Sequence, residues 1–176
     1  MPDPAGTRIK TRRLKFGAVL GVLATISLVV TQLDNILTFF GAKTLASLDG
    51  PWLITDKIQQ AEGDRFNNLA IQFRVFIQQK GESFTAVGEK VAVNGETLKA
   101  RLRSKLDISG SISGSQVTAT FVETPPEGAG ARQSRGSFSW QLVRTSFLTK
   151  RPTRMEGSFV STAADTKGTS IAIREE

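Results

Sequence analysis

The chain has 176 residues, with 23 Lys plus Arg against 16 Asp plus Glu, and contains neither Cys nor His. Those two absences exclude disulfides, thiolate and imidazole nucleophiles, and His/Cys zinc sites. Residues 1–49 carry 6 cations and 3 anions and residues 50–176 carry 17 and 13, so the globular part is only mildly basic.

The first segment, 1–15, is a basic tail ending Arg8-Ile9-Lys10-Thr11-Arg12-Arg13-Leu14-Lys15. It runs into fifteen residues, Phe16 to Val30, with no charge and no amide. Extended to Leu33, the stretch covers roughly 27 Å as a helix, close to the ~30 Å hydrocarbon core of a bilayer. No small-x-small cleavage site follows closely, so one uncleaved transmembrane helix is expected over 16–33, with 34–49 as an interfacial linker. The cationic flank stays on the cytoplasmic side. The expected arrangement is a single pass through the inner membrane, with the remaining chain in the periplasm. Gly17 and Gly21 have the Gly-x-x-x-Gly spacing of helix pairing, which suggests a homo-oligomer.

Residues 50–176 are enough for one domain with its own core. From Leu69 the apolar residues Ile71, Phe73, Val75 and Ile77 fall on alternate positions, the period of a half-buried strand, and Phe76 alone breaks it. Leu98 to Leu106 alternates more strictly. Strands are expected at about 51–58, 69–80, 83–93, 97–112, 116–123, 137–145, 155–162 and 169–174. Asn94-Gly95 is the strongest hairpin signal, because a type I′ turn needs positive φ at both central residues. Lys80-Gly81, Gly114-Ser115 and Lys167-Gly168 are weaker turn signals. Tight links make the strands antiparallel neighbours, and closing the sheet removes its edges. The expected fold is therefore an all-β domain over 50–176, an up-and-down barrel of about eight strands behind one N-terminal transmembrane helix. A two-sheet sandwich is the second choice.

Asp49-Gly50-Pro51-Trp52 opens the first strand with a Gly-x-Trp, and the last strand carries Arg174. In these features the domain resembles lipocalin-like barrels, a likeness that implies a lumen for a small ligand and an Arg packed across the base Trp. The layout of membrane segment followed by small barrel is also similar to the minimal β-barrel effectors of bacterial cyclic-oligonucleotide anti-phage systems. That second likeness implies a cytoplasmic barrel and an anionic nucleotide ligand.

Lys99, Arg101, Arg103 and Lys105 share one face if their segment is a strand. Four such cations either recognise an anion or form a solvated face paired with acids such as Glu89 or Glu123. Arg74, Arg132, Arg135 and Arg144 are the other cations that would serve a nucleotide site. Trp52, Phe73, Phe121, Phe138, Trp140 and Phe159 either fill the barrel or line an apolar pocket, and a buried Trp needs a partner for its indole N–H. The loop from Thr124 to Gly136, rich in Pro and Gly, is the longest between strands. The cluster Lys150-Arg151-Pro152-Thr153-Arg154 is a further basic patch. No candidate base lies beside a Ser or Thr nucleophile, and no phosphate loop precedes a helix. The chain thus reads as a non-catalytic, membrane-anchored binding or interaction module without cofactor, metal or specific nucleic-acid binding. Its expected partners are the bilayer and either a protein or a small ligand, anionic or apolar.

Overall fold

The computed structural model describes residues 46–128, 130, 132–143 and 151–176, within a compact unit spanning Thr44–Glu176. The expected transmembrane segment 16–33, its Gly17/Gly21 pair, Arg144 and Lys150 lie outside the described residues. No helix among the described residues is long and apolar enough to cross a membrane.

The strands are β1 (Gly50–Gln60), β2 (Ala70–Lys80), β3 (Ser83–Val93), the short β4 (Glu96–Thr97), β5 (Lys105–Ser113), β6 (Gln116–Thr124), β7 (Ser134–Val143), β8 (Arg154–Ser161) and β9 (Thr166–Arg174). Every pairing is antiparallel. The eight long strands follow one another around the sheet, and β1 pairs with both β2 and β9, so the sheet closes into an up-and-down barrel. β4 pairs only with the end of β3.

Alternation sets what faces inward. On β1 the buried residues are Trp52, Ile54, Asp56 and Ile58, and on β2 they are Phe73, Val75 and Ile77. Phe76, which breaks the sequence alternation, sits outward and is 49% exposed, paired with exposed Val87 of β3. The Asn94-Gly95 turn forms as expected, with φ of 52° and 81° joining Val93 to Glu96. Asn94 also clamps the start of β2: its N–H donates to the Ala70 carbonyl (2.7 Å) and its Oδ1 accepts from the Ala70 N–H (2.8 Å).

Three expectations are corrected. The segment expected to open a strand at 97 is not one. After β4 the chain makes a 3-10 turn at Ala100–Leu102, and β5 starts only at Lys105. Its alternation has no core to face, since Leu102 is 52% exposed. The segment instead ties back to β3, the Leu98 N–H donating to Val91 O (2.8 Å) and the Lys90 N–H to Ser104 O (2.9 Å). Lys167-Gly168 is likewise no turn but part of β9, paired with β8 and β1. The β8–β9 reversal lies at 162–165, where two non-glycine residues, Ala164 and Asp165, take φ of 51° and 43°. Sequence signals built on Gly and Asn miss such a turn. The loop after β6 is also shorter than expected, because β7 begins at Ser134.

One end of the barrel is sealed. Trp52 is fully buried, its Nε1–H donates to Leu48 O (2.7 Å), and Leu48 is itself fully buried. Arg174 lies over the Trp52 ring, 4.6 Å from its centroid, as the lipocalin likeness implies. Its guanidinium donates to three main-chain carbonyls, those of Pro152 (3.0 Å), Ser47 (2.6 Å) and Asp49. Gly50 permits this arrangement: its φ is 118°, which L side chains rarely adopt, and a Cβ there would come within 3.2 Å of Arg174 Nη1. Ile77, Ile112, Val117, Leu142 and Met155 fill the barrel behind this plug.

Candidate functional site: a lumen cavity with an unpaired carboxylate

The opposite end is different. Its rim is made by the β1–β2 loop, the β3–β5 connection, the β6–β7 loop and the β8–β9 turn. Behind the rim lies a cavity of about 290 Å³. Its walls are mostly apolar: Ile58, Leu69, Ile71 and Phe73 from β1, β2 and their loop, Val93 from neighbouring β3, and Phe121 and Phe159 from β6 and β8. A second, outer cleft of about 550 Å³ lies against Pro125, Pro126, Arg132 and Gln133 of the β6–β7 loop. Lys90, Glu123, Ala163 and Ala164 border both.

The six aromatics singled out in the sequence therefore divide. Phe73, Phe121 and Phe159 line the cavity, whereas Trp52, Phe138 and Trp140 belong to the packed half. Phe138 links the two sets, 4.7 Å from the Phe121 ring and stacked 4.3 Å from Trp140.

Among the described residues, three titratable side chains stand in this lumen. Asp56 occupies an inward position of β1 between Ile54 and Ile58, so the strand's period alone places it inside, 2% exposed. It pairs across the sheet with Ser170, whose hydroxyl hydrogen-bonds the carboxyl and accepts the Trp140 Nε1–H (2.9 Å). The Asp56 Oδ1 has no hydrogen-bond partner among the described residues. Burial pushes the carboxyl up from 3.8 to about 7; the Ser170 hydrogen bond opposes this, nearby Glu123 adds to it and Lys90 opposes it.

Lys90 faces inward by the ordinary alternation of β3, in phase with buried Phe84 and Ala86, and a β-bulge follows it. Phe73 of β2 pairs with Lys90 while Gln72 pairs with Ala92, so Val91 is the extra residue. The bulge thereby brings Val93, opposite Ile71, onto the same inward face as Lys90 although the two are three residues apart. Lys90 Nζ lies 2.5 Å from Glu123 Oε1 and 5.6 Å from the centroid of the Phe73 ring. Ser104 Oγ donates to the same Glu123 oxygen at 2.5 Å. Glu123 is inward because it follows buried Phe121 by two residues on β6. The Lys90 charge is thus engaged by Glu123, and Asp56 remains the uncompensated acid of the lumen.

The basic residues named from the sequence do not converge. Arg74 is outward on β2, held by Glu175 through contacts of 2.9 to 3.1 Å. Arg103 reaches Glu89 at 2.5 Å and donates from Nε to Leu98 O (3.1 Å), the paired arrangement anticipated for this stretch. Lys99, Arg101 and Lys105 are exposed, with Lys99 and Arg101 on the 3-10 connection and Lys105 on β5, so they share no strand face. Arg135 is outward on β7, its N–H bonded to Thr162 Oγ1 (2.9 Å). Arg132 borders the outer cleft. Trp52 is the plug of the sealed end, and Trp140 reaches the site through Ser170.

Sequence reasoning missed Asp56 and Lys90 as site residues and treated Glu123 only as a surface partner. Asp56 had a readable signal, a carboxylate in phase with Trp52, Ile54 and Ile58. Lys90 had a similar one, in phase with Phe84 and Ala86 of β3, whereas the bulge that brings Val93 inward leaves no mark in the hydrophobic pattern. Among the described residues no three acidic side chains gather as a metal site would require. No family model matches the chain, and no curated protein matches it either. The likeness to lipocalins therefore rests on the antiparallel eight-stranded barrel and its Trp–Arg plug.

Proposed function

We propose that the chain is a non-catalytic binding module, tethered to a membrane by residues 16–33, that takes a small and mainly apolar ligand into the open end of its barrel. The observation that carries this reading is the half-filled lumen. Core side chains pack one half and stop, leaving about 290 Å³ walled by Phe, Ile, Leu and Val. That volume lies at the small end of ligand sites, which are concave, mostly apolar and set with a few polar groups. It equals roughly ten water-sized units of space. The basic tail and the apolar stretch that follows it support the tether.

A module that meets only a protein partner would be expected to have a filled lumen. A sensor of an anionic nucleotide would need cations inside it. Lys90 is engaged by Glu123, Arg132 borders only the outer cleft, and Asp56 and Glu123 both repel an anion.

The test is titration calorimetry of the full chain in lipid nanodiscs with 2-phenylethanol, in parallel with Val93→Trp, which fills the cavity wall. Saturable heat from the native chain that disappears in the variant is expected. Equal heats from the two proteins would remove the lumen from the account.

A further inference from the structure

We infer that the cavity selects a protonated amine carried on a short aryl or alkyl body, with Asp56 receiving the ammonium group. This rests on the lumen being a ligand site and adds to it the chemistry of the ligand.

Asp56 forms part of the cavity wall, is 2% exposed and has one carboxylate oxygen without a partner among the described residues. A buried acceptor left unsatisfied is costly, so a ligand that supplies a donor there regains that cost on binding. The charge balance then selects among donors. The titratable groups facing Asp56 are Lys90 of β3 and Glu123 of β6, and these two are 2.5 Å apart. With Asp56 ionised the lumen holds two acids and one base, a single uncompensated negative charge. A carboxylate or phosphate ligand would meet two like charges. An alcohol would satisfy the oxygen and leave the charge. An ammonium satisfies both, and charge-assisted hydrogen bonds are roughly twice as strong as neutral ones.

The remaining walls fit the same ligand. Phe73, Phe121 and Phe159 present aromatic surface to the body of the molecule and to a cation passing into the lumen. The head-inward orientation follows, because the acid lies within the lumen and the apolar residues Leu69 and Val93 lie toward the rim. Ser170, held by Trp140, orients the carboxyl before any ligand arrives.

The experiment compares three probes of nearly equal shape on the full chain in nanodiscs: 2-phenylethylamine, 2-phenylethanol and phenylacetate. Heats from Val93→Trp are subtracted to remove partition into lipid. At pH 7.5 the amine is expected to bind at least ten-fold more tightly than the alcohol, with phenylacetate weakest. Asp56→Asn should bring the amine and the alcohol within about two-fold of each other. A second readout needs no variant: in the native chain the preference for the amine should grow between pH 6 and pH 8, as Asp56 loses its proton while the amine keeps its own. Equal affinities for amine and alcohol, or an amine preference that survives in Asp56→Asn, would overturn the amine inference and leave the apolar cavity standing. No binding of any probe above the Val93→Trp background would overturn both.

Discussion

A single carboxylate in an apolar wall makes the stability of this barrel depend on pH. The Asp56 carboxyl titrates near 3.8 in the unfolded chain and at about 7 in the folded one. Between those values the folded state holds a proton that the unfolded state has released, so stability falls as pH rises. The contribution is fully present below about pH 4 and is lost through pH 7, a span worth on the order of 4 kcal/mol for a three-unit shift. In urea titrations of the full chain and of Asp56→Asn, the variant should gain on the native protein steadily from pH 4 to pH 8; parallel curves would mean that Asp56 is not held as described. Arg174 has the opposite character. Burial and the nearby Arg151 lower its guanidinium from the ordinary value while Asp49 raises it, and the charge is held by three carbonyls and the Trp52 ring. Arg174→Ala should cost about 2–4 kcal/mol, since it leaves carbonyls at the sealed end without donors. Arg174→Lys should recover little, because a point charge does not reproduce the planar fork. At this scale Trp52 and Arg174 were legible in the sequence through spacing and resemblance, and Asp56 was present in the pattern but unread. Lys90 was likewise in phase with Phe84 and Ala86 but unread, and Val93 was illegible, as its direction depends on an unpaired Val91.

Strand boundaries follow from turn chemistry wherever Gly or Asn supplies the positive φ. The β3–β4 turn is the clearest case. Gly95→Ala should cost about 1 kcal/mol for a side chain at φ 81°. Asn94→Ala should cost about 1–2 kcal/mol, because it also removes the acceptor of the Ala70 N–H. Thermal denaturation of the two variants checks the order, and an Asn94→Ala no worse than Gly95→Ala would show that the clamp onto β2 adds nothing. The alternating stretch 97–104 misled because alternation reports a strand only when one of its faces meets a core. Arg103 meets Glu89, and Leu102 meets solvent. The β8–β9 reversal misled for the converse reason: Ala164 and Asp165 are held at positive φ by their neighbours, including the Glu62 N–H bonded to Ala164 O at 2.7 Å.

The whole barrel owes its two unlike ends to closure. Each long strand pairs on both sides, so no long edge is left open, and the sheet is expected to lose structure as one unit. Both tryptophans report on the packed half, Trp52 at the sealed end and Trp140 beside Ser170, so tryptophan fluorescence and far-UV circular dichroism should give coincident urea transitions if the barrel unfolds as one unit. Separate midpoints would reveal that the open end melts first. Closure also explains why the cavity was not legible from the sequence. The same alternating Phe and Ile residues fill a lumen or line one according to strand tilt and stagger, which the hydrophobic pattern does not encode. The most direct test of a ligand site in the open half is methyl NMR of the full chain in nanodiscs, labelled at Ile, Leu and Val and titrated with 2-phenylethanol. Saturable shifts at Ile58, Leu69, Ile71 and Val93, with Val87, Val160 and Ile173 on the outer face unmoved, are the expected result. Shifts confined to the outer-face methyls, or none at saturation, would contradict it.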